Sequence, residues 1–246
     1  MKYKKIIVSL LILLSVLFIY NLCRSKKENY ISLGDSVARG INSYGEDGYG
    51  YTDYLKDYLK KQSKLNLYVD FSVSGYKTED ILEDININKK VTINNKEYNI
   101  RKSLRESTLV TISIGANDFL QAIDVENLSF NDITIYKNII SNIIPEIEKT
   151  LKEVRKYAKN KIIVIGYYNP IPFLFNTNEK EIDALFAYID DSYHEITKKY
   201  DIEYLSMYET FKNNSSYLPN PMNIHPNVQG YEAIFKKIKS NLTKKD

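Results

Sequence analysis

The residues able to do chemistry are few, and they fall in short loops. Ser36 stands in "SLGDSVARG" (32–40), directly after Gly-Asp and a short apolar start at Tyr30 and Ile31. Ser, Asp and Gly are the ordinary residues of a strand-to-helix turn, so taken alone Ser36 reads as a helix cap. A serine becomes a nucleophile only with a base to take its proton and donors aimed at the developing oxyanion. The chain has two histidines. His194, in "IDDSYHEITKKY", lies in a lysine-rich helical pattern without the second histidine of a zinc-binding helix, and reads as a solvated helix residue. His225, in "NPMNIHPNVQGY", lies in a loop stiffened by Pro219, Pro221 and Pro226, just before a helix that Asn227 would cap. Candidate oxyanion donors are the backbone N–H groups of Ser36 and Gly75 and the side-chain amide of Asn117. Gly75, in "SVSGYKT", lets the backbone approach a substrate closely, and Asn117, in "GANDF", follows the end of an apolar run. A plain turn with Asp118 as cap is the structural alternative for "GAND".

These loops need elements to hold them. Apolar strand-like runs occur at 30–33, 66–72, 107–114, 161–167 and 202–205, separated by helical patterns near 49–61, 78–85, 132–159, 179–199 and 228–242. In the longest helix Ile139, Ile140, Ile143, Ile144, Ile147, Leu151 and Val154 recur at three- and four-residue spacing, the mark of one buried face. Alternating strands and helices imply a parallel sheet covered on both faces, with its sites at the carboxyl ends of the strands. "GDS", "SVSGYKT" and "GANDF" follow the first three strands, which makes one shared site a better explanation than three coincident turns. Residues 90–100 break the alternation, and Asn94-Asn95 between β-formers predicts a small inserted hairpin.

The 246 residues, 43% hydrophobic and 26% charged, suit one sizeable domain with an attachment segment. The division expected is residues 1–29 and 30–246. The net charge of +3 comes from residues 1–27, which hold six basic and no acidic residues; the remaining 28 basic residues face 31 acidic ones. Such a body has no electrostatic footprint for nucleic acid. Ile6 to Leu22 is a run of 17 residues, apolar apart from two serines and Asn21, with lysines on both flanks, which predicts a membrane helix. Cys23-Arg24-Ser25 is a poor cleavage site, and Cys23 lacks the small preceding residue of lipid-modified cysteines. An uncleaved single-pass anchor with the body outside the cytoplasm is therefore expected, or a secreted body if the segment is cleaved. One cysteine excludes an internal disulfide. "GEDGYG" (45–50) has neither a P-loop lysine nor the spacing of a dinucleotide fingerprint.

Gly-Asp-Ser, an isolated glycine, Gly-x-Asn-Asp and His-Pro-Asn, in that order over almost the whole chain after the anchor, resemble the GDSL/SGNH family of serine ester hydrolases. "GYGYTDYLKDYL" and Gly230-Tyr231 resemble its lipase and acylhydrolase branch. The resemblance implies a three-layer α/β/α sandwich, flavodoxin-like, with a central, mostly parallel five-stranded sheet, here preceded by one N-terminal hydrophobic helix. It implies ester hydrolysis through an acyl-serine intermediate without metal or organic cofactor. By the same resemblance Ser36 is the nucleophile, His225 the base, and Ser36, Gly75 and Asn117 the oxyanion hole, with Asp35, Asp118 and Asn223 in support. One position departs from the family: its usual Asp, three residues before the histidine, is Met222 here. Asn220, Asn223 or a loop carbonyl must then orient the imidazole. The expected substrate is a small-molecule or lipid ester. The alternatives are O-acetyl groups on a cell-surface glycan, or a membrane-tethered binding domain whose site is impaired.

Overall fold

The structure is a computed structural model and describes residues 27–123, 133–170 and 179–244. Among the described residues seven strands occur: β1 Glu28–Gly34, β2 Leu65–Asp70, β3 Lys90–Ile93, β4 Lys96–Asn99, β5 Leu109–Ser113, β6 Lys161–Ile165 and β7 Glu203–Leu205. Five of them form one sheet in the order β2-β1-β5-β6-β7, every neighbouring pair parallel. The helices are α1 Ser36–Arg39, α2 Tyr51–Lys61, α3 Thr78–Ile87, α4 Ile100–Glu106, α5 Ala116–Ala122, α6 Thr134–Tyr157, α7 Glu179–Lys199, α8 Tyr208–Lys212 and α9 Val228–Thr243.

The period-2 alternation of the strands divides the interior into two cores. Ile31 and Leu33 of β1, Val110 and Ile112 of β5, and Ile162 and Val164 of β6 face α3, α4, α6 and α7. Their neighbours Tyr30, Leu109, Ile163 and Ile165 face α2 and α9. Central strands buried on both sides read as continuous apolar runs for this reason. The long isoleucine pattern is α6, with Ile140, Ile147, Leu151 and Val154 buried against the sheet. This is the three-layer α/β/α sandwich expected from the sequence.

The inserted hairpin is present as β3 and β4, and Asn94 and Asn95 both take positive φ (49° and 61°), as a tight two-residue hairpin turn requires. Three strands stop earlier than their apolar runs suggest. Ser72, Ile114 and Tyr167 lie beyond the strand ends and belong to the loops at the sheet's carboxyl edge, while Gly166 still donates its N–H to the Leu205 carbonyl. Short helices α1, α4, α5 and α8 have no clear periodicity, being four to seven residues long. The apolar segment expected to be a membrane helix lies outside the described residues. Among the described residues no helix is long and apolar enough to cross a membrane.

Candidate active site

The first three loops are tied together by their backbones at the carboxyl edge of the sheet. Asp35 N–H donates to the Ser113 carbonyl (3.2 Å), and Val73 N–H donates to the Gly34 carbonyl (2.9 Å). Asn117 Nδ2 donates to the Tyr76 carbonyl at 2.8 Å, which brings the third loop against the second. Gly34 is required at this junction. Its φ is +134°, and a Cβ there would lie 2.3 Å from the Ser113 carbonyl oxygen. The strand can therefore end in a sharp turn that delivers Ser36 as the first residue of α1.

Ser36 is not the helix cap that its local sequence suggests. Asp35 is the cap, its Oδ1 accepting the Val37 N–H at 2.9 Å and the Ser113 hydroxyl at 3.0 Å. That leaves the Ser36 side chain free for another partner. His225 supplies it: Nε2 lies 2.7 Å from Ser36 Oγ, across 189 positions of sequence. The other ring nitrogen, Nδ1, lies 2.6 Å from Asn223 Oδ1.

That second contact fixes the tautomer. The backbone N–H of His225 also donates to Asn223 Oδ1, at 3.0 Å. A backbone N–H can only donate, so the atom facing it must be the amide oxygen, and an amide oxygen carries no proton. Nδ1 therefore bears the ring proton, and Nε2 is left as the acceptor for the Ser36 hydroxyl. Of the orienters considered from sequence, Asn223 holds the place. Asn220 turns away and donates to the Ser43 carbonyl (2.8 Å), while Met222 points to solvent, 91% exposed. Burial lowers the pKa of His225 below its ordinary value, which favours the neutral ring.

The remaining candidates take distinct positions. Gly75 has φ +85° with open space where a Cβ would be, so it is a glycine for its conformation rather than for room. The Asn117 amide uses one proton on Tyr76 and has a second to give. Asp118 does not cap its own helix and does not touch Ser36 or His225. It accepts from Thr78 N–H (3.0 Å) and Thr78 Oγ1 (2.9 Å), joining α5 to the start of α3. Asp35 is buried, and burial pushes its carboxyl up to about 6 against the pull of the Val37 and Ser113 hydrogen bonds; among the described residues its Oδ2 has no hydrogen-bond partner. His194 is exposed on α7, away from the site.

Sequence reasoning missed one feature. A cavity of about 100 Å³ opens beside Ser36 and Asn117 and runs between α5, α6 and α7. Its walls are apolar, with Phe119, Leu120, Ile140, Leu185, Phe186 and Ile189 among them. The helical spacing of Leu185, Phe186 and Ile189 was the available signal, but it is also the pattern of ordinary core packing.

The pattern of the GDSL-like lipase/acylhydrolase family matches residues 32–233. A curated relative, the uncharacterized protein YpmR of Bacillus subtilis, is 23% identical over 218 residues, covering 84% of this chain and 78% of that one. Among solved structures, a lipase from a goat rumen metagenome superposes with a TM-score of 0.65 at 21% identity, over 86% of this chain and 95% of that one. Axe2, an acetylxylan esterase of Geobacillus stearothermophilus, superposes with a TM-score of 0.62 at 15% identity, over 90% and 96% of the two chains. At these identities the structural likeness speaks for the fold. The match over most of the chain, on a parallel sheet that gathers its motifs at one edge, places this protein in the GDSL-like lipase/acylhydrolase family of ester hydrolases.

Proposed function

We propose that this protein hydrolyses carboxylic esters through an acyl-serine intermediate, with Ser36 as nucleophile, His225 as base and Asn223 as the residue that orients the base. The observation that carries the reading is the continuous chain Ser36 Oγ–His225 Nε2, His225 Nδ1–Asn223 Oδ1, at 2.7 and 2.6 Å. Ser36 Oγ passes its proton to Nε2 as it attacks the ester carbonyl carbon. The carbonyl oxygen takes up the electron pair, facing the N–H groups of Ser36 and Gly75 and the free proton of Asn117. Collapse breaks the bond to the alcohol, whose oxygen leaves with the proton held on Nε2. Water repeats the sequence on the acyl-serine, releasing the acid and restoring Ser36. The reaction draws on no metal or organic cofactor.

The apolar cavity supports a finer reading. An acyl chain seated between α5 and α7 removes its methylenes from water, at about 0.8 kcal/mol for each CH₂ buried, whereas an acetyl group leaves the cavity unused. We assign the substrate as an ester with an acyl chain of several carbons. Nitrophenyl esters of increasing chain length test this. The expected kcat/KM rises from acetate to a medium chain and vanishes in Ser36→Ala. A maximum at acetate would move the reading to O-acetyl groups. Activity retained by a folded Ser36→Ala protein would end the nucleophile assignment. The N-terminal apolar run is proposed to hold this body at the outer face of a membrane.

A further inference from the structure

The body carries three more acidic than basic residues after position 27, yet its charges are not mixed evenly. In a parallel α/β sandwich the helix C-termini and strand starts share one end, opposite the site. Here hydrogen bonds join those junctions into one surface: Glu28 N–H to the Lys64 carbonyl, Asn160 Nδ2 to the Ser107 carbonyl and Arg155 Nε to the Tyr200 carbonyl.

That end is basic. Lys60, Lys61 and Lys64 line the passage from α2 to β2. Arg155, Lys156, Lys159 and Lys161 line the passage from α6 to β6. Arg105 closes α4, Lys198 and Lys199 close α7, Lys244 follows α9, and Lys27 leads into β1. Against these twelve stand seven acidic residues: Glu28, Glu106, Asp201 and Glu203 at the same junctions, and Glu153, Glu148 and Glu195, which pair with Lys156 and Lys199. Helix dipoles favour a basic residue in each last turn, but Lys27, Lys64, Lys159 and Lys161 lie outside the helices. Among the described residues Lys60, Lys61, Lys64, Lys159 and Lys198 have no acidic partner. The opposite end, around the site, holds Glu46, Asp47, Asp53, Asp70, Glu79 and Asp80 among the described residues, and Arg39, Lys56 and Lys77 there are paired with Asp47, Asp70, Asp53 and Glu79.

The apolar run 6–22 joins the body at the basic end, through Lys27. We infer that this basic end docks on anionic lipid headgroups, with the mouth of the active site turned away from the bilayer. Chain length gives the same orientation. Four residues, 23–26, separate the apolar run from Lys27 and reach at most about 14 Å. The seven residues of β1 alone put the mouth roughly 20 Å beyond that point. Turning the mouth toward the membrane would outrun the tether, so esters embedded in that bilayer stay out of reach and substrate arrives from the far side. The inference rests on the anchor reading of residues 6–22 and is independent of the ester chemistry.

The test uses the full chain in vesicles with and without phosphatidylglycerol. In a Cys23→Ser background a fluorophore is placed at Gln62→Cys on the basic end or at Met222→Cys beside the mouth, and nitroxide-headgroup lipid is the quencher. The label at 62 should be quenched in phosphatidylglycerol vesicles and recover in high salt. Each Lys or Arg at such a surface is worth about fivefold in partitioning, so combined Lys60→Glu, Lys61→Glu and Lys64→Glu should abolish the quenching. The label at 222 should stay bright throughout. Equal quenching at both positions, quenching at 62 that ignores phosphatidylglycerol, or a chain that fails to float with the vesicles would each overturn the inference. Turnover of a soluble nitrophenyl ester, unchanged by the lysine replacements, shows that the variants fold; if the ester reading fails, all forms are equally inactive and the quenching still decides the docking.

Discussion

Ser36 and His225 meet at 2.7 Å but are held there in opposite ways. Ser36 sits on the edge of the central sheet, delivered by a glycine turn and an almost fully buried aspartate bonded to the neighbouring strand. Its position is set by the core. His225 rides on a partly exposed loop, and side-chain hydrogen bonds set its position: Asn223 on the ring, Asn220 on the Ser43 carbonyl, and the Tyr168 hydroxyl on the Ile224 carbonyl at 3.0 Å. The serine half is built to stay put, and the histidine half depends on a few polar contacts. Mutations on the two sides should therefore fail differently, in stability on one side and in turnover on the other.

The largest effect short of removing Ser36 is expected at the proposed oxyanion hole. Asn117→Ala should lower kcat about 10²–10³-fold, the usual cost of one donor. Because Asn117 also ties the second loop through Tyr76, KM should rise in parallel but by less than kcat falls. A large change in KM alone would make Asn117 a ground-state binding residue.

On the loop side, Asn223→Ala should cost on the order of 10²-fold in kcat, since the ring loses the contact that fixes its tautomer, with little change in melting temperature. Asn223→Asp is the sharper probe. In the proposed mechanism His225 must be neutral to accept the serine proton, and burial lowers its pKa, so the acid limb of the rate profile is expected below the ordinary histidine value. A carboxylate at this distance favours the imidazolium and should move that limb up by about one to three pH units. A limb that stays in place would mean that position 223 does not contact the ring during turnover.

On the core side the readout is stability. A carboxyl whose pKa is raised in the folded protein binds its proton more tightly there, so the fold loses stability as pH rises from the unfolded value toward the folded one. For Asp35, pushed up to about 6, that window runs from about pH 4 to 6 and amounts to about 3 kcal/mol. Asp35→Asn removes this dependence. Its stability relative to the parent should improve by up to that amount between pH 4 and pH 7, as measured by urea unfolding. A difference that is flat with pH would mean that Asp35 titrates normally.

Met222→Asp should do least. The side chain points into solvent, so a carboxylate there neither reaches the ring nor disturbs packing, and kcat/KM should stay within about threefold of the parent. A large gain would show that the loop can turn this position inward.

The same division explains what could be read from the residues alone. Core strands and the long α6 were legible, because burial imposes a period on their side chains, and the hairpin was legible from Asn94-Asn95. A helix start at Ser36 was legible from the turn residues, but not that Asp35 rather than Ser36 caps it; the helix inside "GANDF" was not, since seven residues show no clear period and their types suit a turn equally well. Which asparagine faces His225 was open, because Asn220 and Asn223 lie three positions apart in a loop whose path is set by contacts with Ser43 and Tyr168. The apolar cavity was invisible for a different reason. Its walls come from separate helices, and each wall residue looks like core until the others are placed opposite it.

The central claim is that Ser36 is the acylated residue, activated by a histidine with no carboxylate behind it. Fluorophosphonate labelling followed by peptide mass mapping tests it most directly. One adduct per chain is expected, on the peptide containing Ser36. It should form at pH 7, be lost in His225→Ala and form more slowly in Asn223→Ala. An adduct on another serine, or a wild-type protein that stays unlabelled while Met222→Asp is labelled, would contradict the account.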